Sequence, residues 1–421
     1  MARARNLDQI VKLMAWSLEQ NMPIYPRGSG TNVVGACVPV KPGLVLSTLA
    51  MDKILEINSR DFVAVVEPGL ITAKLQAAAE AQGLFYPPDP ASAKLSTIGG
   101  NVATGAAGLR AVKYGGTKDY VLGLQAVLPG GRLINTGGRV HKNAVGLDLT
   151  SLLVGSEGSL AVITRITLKL LPKPQSSASL LAAYHETAQA LAAAQAVFEA
   201  GITPVAMEFM PHGVLHCLNL TGKSMPWPVE AKAVLLLKLD GAERVLTKEL
   251  ALLKKTIAAA NPLYIQDSQG ENEEKLWEPR RLINPASFLL KPDKLSNDIV
   301  VPRGAASQAF ERIDRIKKEY KLEILAFGHL GDGNIHVNIM YDDKNQTEAE
   351  QAHKARDLVL QMALELQGSI SGEHRIGLAK ADWLPKQLSL EERRIMSDIK
   401  KTFDPHELLN PGKWLNSGRD I

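Results

Sequence analysis

Apolar residues recur at helical spacing near the start of the chain, at Ile10, Val11, Leu13, Met14 and Leu18, and predict an amphipathic helix over residues 7–20. A second helix is predicted over residues 72–82. Around these two, short β-rich runs such as Phe62-Val63-Ala64-Val65-Val66 alternate with glycine-rich turns up to about residue 175. The pattern then changes. It predicts a strand over 179–183, an alanine-rich helix over 187–200, strands over 205–210 and 233–239, and a helix over 244–259. Further on it predicts a strand over 298–301, a helix over 306–320, strands over 324–327 and 335–340, and a helix over 347–367. Lys173-Pro174-Gln175-Ser176-Ser177 reads as a linker. Two domains are therefore expected, residues 1–175 and 176–421, the second an α+β domain with a largely antiparallel sheet. No internal repeat or low-complexity tract interrupts them.

Composition narrows the partners. The formal charge over 421 residues is 48 − 44 = +4, too small to make nucleic acid or a membrane surface the main partner. No apolar run approaches the roughly 20 residues needed to cross a bilayer. The first twenty residues carry Arg3 and Arg5 and a helical pattern, unlike the continuous apolar stretch of a signal peptide. The two cysteines, Cys37 and Cys217, suit a reducing cytoplasm and are too few to hold an iron–sulfur cluster, which needs about four ligands.

Three glycine-rich segments carry candidate binding chemistry. Pro26-Arg27-Gly28-Ser29-Gly30-Thr31-Asn32 follows a short apolar strand. Its glycines permit close backbone approach, and its N–H groups and hydroxyls suit a diphosphate, although Gly-Ser-Gly also fits a plain turn. Ser96-Thr97-Ile98-Gly99-Gly100-Asn101-Val102-Ala103-Thr104-Gly105-Ala106-Ala107-Gly108 holds four glycines and no charge, as expected where backbone packs against a flat, uncharged ligand or at a tight strand–turn crossing. Gly155-Ser156-Glu157-Gly158-Ser159-Leu160-Ala161-Val162 leads from a turn into a strand. None fits the dinucleotide pattern GxGxxG after a first strand, so a Rossmann domain is disfavoured.

The densest chemistry lies in Gly328-His329-Leu330-Gly331-Asp332-Gly333-Asn334-Ile335-His336. Two histidines seven residues apart converge if the glycine-rich turn folds back and the second begins a strand. Imidazole nitrogens suit Zn, Fe, Mn or Co. Ser371-Gly372-Glu373-His374-Arg375-Ile376-Gly377 offers a carboxylate as third ligand and a further imidazole. Asp332 is expected to fix the turn.

In this order the segments resemble the FAD-linked oxidases of the vanillyl-alcohol oxidase type, in the branch holding the glycolate oxidase flavin subunit, D-lactate dehydrogenase and D-2-hydroxyglutarate dehydrogenase. The resemblance covers nearly the whole chain. It implies a PCMH-type FAD-binding domain, then an α+β substrate (cap) domain, with a C-terminal segment returning to the FAD. FAD-binding positions would fall at residues 26–32, at Pro68 and Gly69 of Val65-Val66-Glu67-Pro68-Gly69, and at Pro88 and Asp89. They would continue at Thr97, Ile98, Gly99, Gly100, Asn101, Ala103, Thr104 and Gly108, at Tyr114 and Gly115 of Lys113-Tyr114-Gly115, and at Glu157, Gly158, Val162 and Asn410. Thr31 stands where covalently linked relatives carry histidine, which implies non-covalent FAD. Gly105, Ala161 and Arg375 stand where relatives usually have Asn, Gly and Gly. A segment that precedes the Leu7 helix in relatives, including a strand, is missing, so an open sheet edge is expected.

The resemblance also implies that His329, His336 and Glu373 bind a divalent metal, that His374 is the general base, and that Arg280, in Trp277-Glu278-Pro279-Arg280-Arg281, grips a substrate carboxylate, with Lys294 as second candidate. The implied reaction is oxidation of a small D-2-hydroxy acid, D-lactate or glycolate, to the 2-oxo acid with hydride passing to flavin N5. The electron acceptor would be an iron–sulfur subunit or an electron-transferring flavoprotein, and the location cytoplasmic, at the inner membrane only through such a partner. Competing readings are a flavin subunit that only passes electrons in a complex, a metal-dependent hydrolase, and a non-redox use of FAD as in alkylglycerone-phosphate synthases. The last would require a run of histidines, which the sequence lacks.

Overall fold

The apolar stripe of residues 7–20 forms the helix Leu7–Glu19, capped by the Asn6 side chain, which accepts the N–H of Gln9 at 3.0 Å. Ile10 and Met14 from this helix join Ile24, Leu46, Val127, Val162 and Leu409 in one core. In the computed structural model, which describes residues 1–414, the chain divides into two units. The first contains Met1–Gly108, Gly115–Lys173 and the residues from Glu373 on; the second contains Leu109–Tyr114 and Pro174–Gly372.

The first unit holds a parallel three-stranded sheet, with Leu44–Ser47 between Ala2–Arg3 and Ile24–Arg27. The two-residue strand Ala2–Arg3 stands on one edge, where an open edge was expected. An antiparallel five-stranded sheet runs in the order Ile54–Asn58, Val63–Val66, Val162–Lys169, Val121–Val127, Leu133–Gly137. The uncharged run 96–108 is not a loop. Its middle forms the helix Ile98–Thr104, whose N-cap Thr97 accepts the N–H of Gly100 and whose C-cap Gly105 is left-handed at φ 58°.

The second unit is built on a seven-stranded sheet whose neighbouring strands are all antiparallel. Its order is Tyr264–Gln269, Ser176–Tyr184, Ala233–Gly241, Ala206–Pro211, Glu323–His329, Asn334–Tyr341, Asp293–Val300. Leu181, Val234, Leu236, Leu325 and Phe327 from this sheet pack with Leu215 and Leu218 of the helix His212–Asn219 and with Leu276, Trp277 and Ile283 of the helix Glu273–Ser287. Neither helix was expected from periodicity. Pro279 and Pro285 inside the second obscure its pattern.

The compact units cross the expected 175/176 division twice: residues 109–114 group with the second unit, and residues 373–414 group with the first, as a C-terminal segment returning to the FAD-binding domain would. Lys400, 1% exposed, donates from Nζ to the Ser159 carbonyl at 2.7 Å and to Asp404 Oδ2 at 2.5 Å, and Asn410 Nδ2 donates to the carbonyls of Ala36 and Glu157 at 2.9 and 2.7 Å. A buried cation with these partners ties the tail into the first unit.

Candidate functional site

In the first unit, a cleft of about 1300 Å³ opens beside the glycine-rich loops. Its walls include all seven residues of the 26–32 loop, Pro68, Thr97, Gly99, Gly100, Asn101, Ala103, Thr104, Glu157, Gly158 and Val162, and also Glu373 and His374. The lining fits FAD. Arg27 and the hydroxyls of Ser29 and Thr31 suit a diphosphate, and the side-chain-poor surface of Gly99, Gly100 and Ala103 suits a flat ring system. Ser29 Oγ already donates to the Leu95 carbonyl at 2.5 Å, so the loop is held in place.

Other expected cofactor positions lie elsewhere. Gly69 donates its N–H to the Met51 carbonyl, and added side-chain volume there would strike Thr48. Ile98 is fully buried in protein. Gly108 packs on the backbone of Asp89, and Gly115 on the Asp119 side chain. Neither Pro88 nor Asp89 lines the cleft. Asn410 clamps the tail as described. Tyr114 belongs to the second unit, where its hydroxyl donates to Asp240 at 2.9 Å beside the Lys113–Asp240 ion pair of 2.7 Å.

The turn 373–377 is built into the cleft wall from within the first unit. Asn32 Nδ2 donates to the His374 carbonyl at 3.1 Å. The Glu157 carboxylate accepts the N–H groups of Ile376 and Gly377, each at 3.1 Å. Burial pushes the Glu157 carboxyl above its usual range, partly offset by these hydrogen bonds and by Arg375. Glu373 Oε1 lies 3.4 Å from His374 Nε2.

In the second unit, the strands Glu323–His329 and Asn334–Tyr341 form a hairpin with His329 opposite Asn334. His336, two residues further on, is then the diagonal neighbour of His329 on the same face. Gly333 makes the turn possible, at φ 82° and with its α-carbon against the Val301 carbonyl. The two Nε2 atoms come to 3.2 Å. A tetrahedral ion with bonds of about 2.0–2.1 Å holds two nitrogens about 3.3 Å apart, so the pair fits two metal ligands. Glu208, directly across the next strand from His329, hydrogen-bonds His329 Nδ1. Burial pushes the Glu208 carboxyl up, but the charges and hydrogen bonds of His329 and Arg280 outweigh it and hold it at about 2. On the other side, Asp298 faces His336 across the sheet and accepts the N–H of Gly372 at 2.8 Å. Glu373 is the next residue in the chain.

Two expected substrate-binding side chains are otherwise engaged. Arg280 Nε donates to Glu208 Oε2 at 2.5 Å, and its guanidinium lies 4.8 Å from the Phe327 ring centroid. It supports the residue that holds His329. Lys294 lies four residues before Asp298, about 13 Å along the strand from the histidine pair. It donates to Asn284 Oδ1. Glu208 was not expected from the sequence; it lies 121 residues before His329 and carries no motif of its own.

No helix among the described residues is long and apolar enough to cross a membrane. The FAD binding domain family matches residues 1–137, and the family of FAD linked oxidases, C-terminal domain, matches residues 173–414. The chain is 40% identical to glycolate oxidase subunit GlcD of Bacillus subtilis (strain 168), over 97% of this chain and 87% of that one. It is 34% identical to a D-lactate dehydrogenase of Anaerostipes hadrus, over 98% and 88%. Among solved structures, p-cresol methylhydroxylase with substrate bound matches with a TM-score of 0.83 at 16% identity, over 100% of this chain and 89% of that one, a likeness of fold. With its PCMH-type FAD-binding fold and its oxidase C-terminal domain, this chain belongs to the FAD-linked oxidases and is an FAD-dependent oxidoreductase.

Proposed function

We propose that the chain oxidises a small D-2-hydroxy acid, D-lactate or glycolate, to the 2-oxo acid. One observation carries the reading: Glu373 and His374 line the same cleft as the glycine-rich FAD loops, so a base and a carboxylate stand where the cofactor binds. The names of the relatives, a glycolate oxidase subunit and a D-lactate dehydrogenase, support this substrate class.

FAD is held without a covalent bond, since Thr31 stands where covalently linked relatives carry the attachment histidine, and when bound it would supply the hydride acceptor. His329 and His336 offer two nitrogens to a divalent metal (Zn, Fe or Mn), and the family resemblance makes Glu373 the third ligand; when bound, the metal would supply acidity to the substrate hydroxyl. His374, in its neutral form, accepts the hydroxyl proton at an imidazole nitrogen. Asn32 and Glu157 hold the turn that carries it. Glu208 keeps the His329 ring oriented, and Arg280 pairs with the Glu208 carboxylate. Electrons leave through a partner, an iron–sulfur subunit or an electron-transferring flavoprotein, in line with the two unpaired cysteines of this chain.

Reduction of an artificial dye by purified protein tests the reading with D- and L-lactate, glycolate, D-2-hydroxyglutarate and malate, each with and without chelator. The expected result is a yellow protein that turns over a D-2-hydroxy acid or glycolate and loses this activity to the chelator. Turnover indifferent to chelator removes the metal, and a colourless protein removes the oxidation.

A further inference from the structure

The turn bearing Glu373 and His374 continues into an arginine with unusual backbone. Arg375 adopts φ 69°, in the left-handed region that side chains disfavour. Its guanidinium turns into the first unit. Nε–H donates at 2.5 Å to the carbonyl of Thr104, the last residue of the helix Ile98–Thr104. A cation at a helix C-terminus meets carbonyls that the helix leaves without partners. Two glycines make the room. A Cβ at Gly105 or at Gly155 would overlap the guanidinium nitrogens. Both glycines are themselves left-handed, at φ 58° and 80°. The next two residues, Ile376 and Gly377, give their N–H groups to Glu157. Arg375 does not line the cleft, whereas its neighbours His374, Glu157 and Thr104 do.

We propose that Arg375 is a positioning residue: its guanidinium, lodged in the space left by Gly105 and Gly155, fixes the backbone at 374–375 and thereby aims the His374 imidazole into the cleft. This rests on His374 as the base of the proposed reaction. The clamp holds a strained φ that a glycine would adopt without cost.

A double-mutant cycle on the FAD-loaded full chain tests the assignment, with Gly105→Asn, Arg375→Gly and both together. Gly105→Asn alone is expected to lower the melting temperature and FAD retention, because asparagine overlaps the guanidinium. Adding Arg375→Gly is expected to restore both toward wild type. Arg375→Gly alone is expected to keep FAD, change the visible circular dichroism of the flavin, and lower kcat by about 10-fold or more. Its KM is expected to stay within about threefold, and Arg375→Lys to recover part of kcat. Equal losses from Gly105→Asn in both backgrounds would overturn the proposal. So would an Arg375→Gly protein with wild-type dichroism. Melting temperature and dichroism need no substrate. If no hydroxy acid is turned over, the proposed reaction fails while these two readouts still decide the clamp.

Discussion

Glu208 and His329 stand opposite each other on neighbouring antiparallel strands, and the buried Glu208 carboxylate is hydrogen-bonded to His329 Nδ1. With its proton on Nδ1, the imidazole presents the Nε2 lone pair toward His336, as a metal ligand requires. Replacing the carboxylate by an amide leaves the shape and weakens that hold. With the proposed metal at the histidine pair, Glu208→Gln is expected to bind it roughly 10–100-fold more weakly, measured as metal retained after dialysis against graded chelator. Undiminished retention would mean that Glu208 does not orient His329.

Arg280 has two possible employments, and they separate cleanly. Its Nε bond to fully buried Glu208 makes it the counter-charge there, with only 15% of its own side chain exposed. Arg280→Met is then expected to lower the unfolding free energy by about 3–5 kcal/mol in urea titration, because the buried carboxylate loses its guanidinium and keeps only its bond to His329. If Arg280 instead served only the substrate carboxylate, KM would rise and the urea midpoint would hold.

His374 lines the cleft, and its imidazole is 29% exposed. His374→Ala is expected to fold, stay yellow, and lose about 10²–10⁴-fold in dye reduction. Loss of the flavin along with activity would make it a binding residue instead of the base.

Lys400 is the anchor of the C-terminal segment, bonded to Asp404 and to the Ser159 and Leu409 carbonyls. Lys400→Ala leaves Asp404 buried without its cation and is expected to cost about 3–5 kcal/mol. Limited proteolysis should then cut within residues 390–414 faster than in the wild type, and a wild-type cleavage pattern would count against the anchor.

The seven-residue spacing of His329 and His336 was legible because it is local. A four-residue turn folds one strand onto the next, and the alternation of side chains puts residue 336 on the same face as 329. The cleft-lining segments at 26–32 and 97–104 were legible for a similar reason, although the second folds as a helix: glycine and small hydroxyl residues in sequence announce close backbone approach. Most of the second unit's strands were also marked by their own apolar runs, but Tyr264–Gln269, polar at most positions, was missed, and Asp293–Val300 was recognised only at its apolar end.

What the sequence could not carry was the choice of partner across long separations. Glu208 meets His329 because the sheet order sets strand Ala206–Pro211 beside Glu323–His329, and no local pattern encodes that neighbour. The same holds for Lys400 with Ser159, Tyr114 with Asp240, and Arg375 between Gly105 and Gly155. Residue type and spacing alone identified the FAD-linked oxidase family and the two histidines that meet on one sheet face, because those signals are local and chemical. Which charged side chain orients, which anchors and which fills a glycine's space was decided only in the tertiary structure, where burial obliges every charge to find a partner.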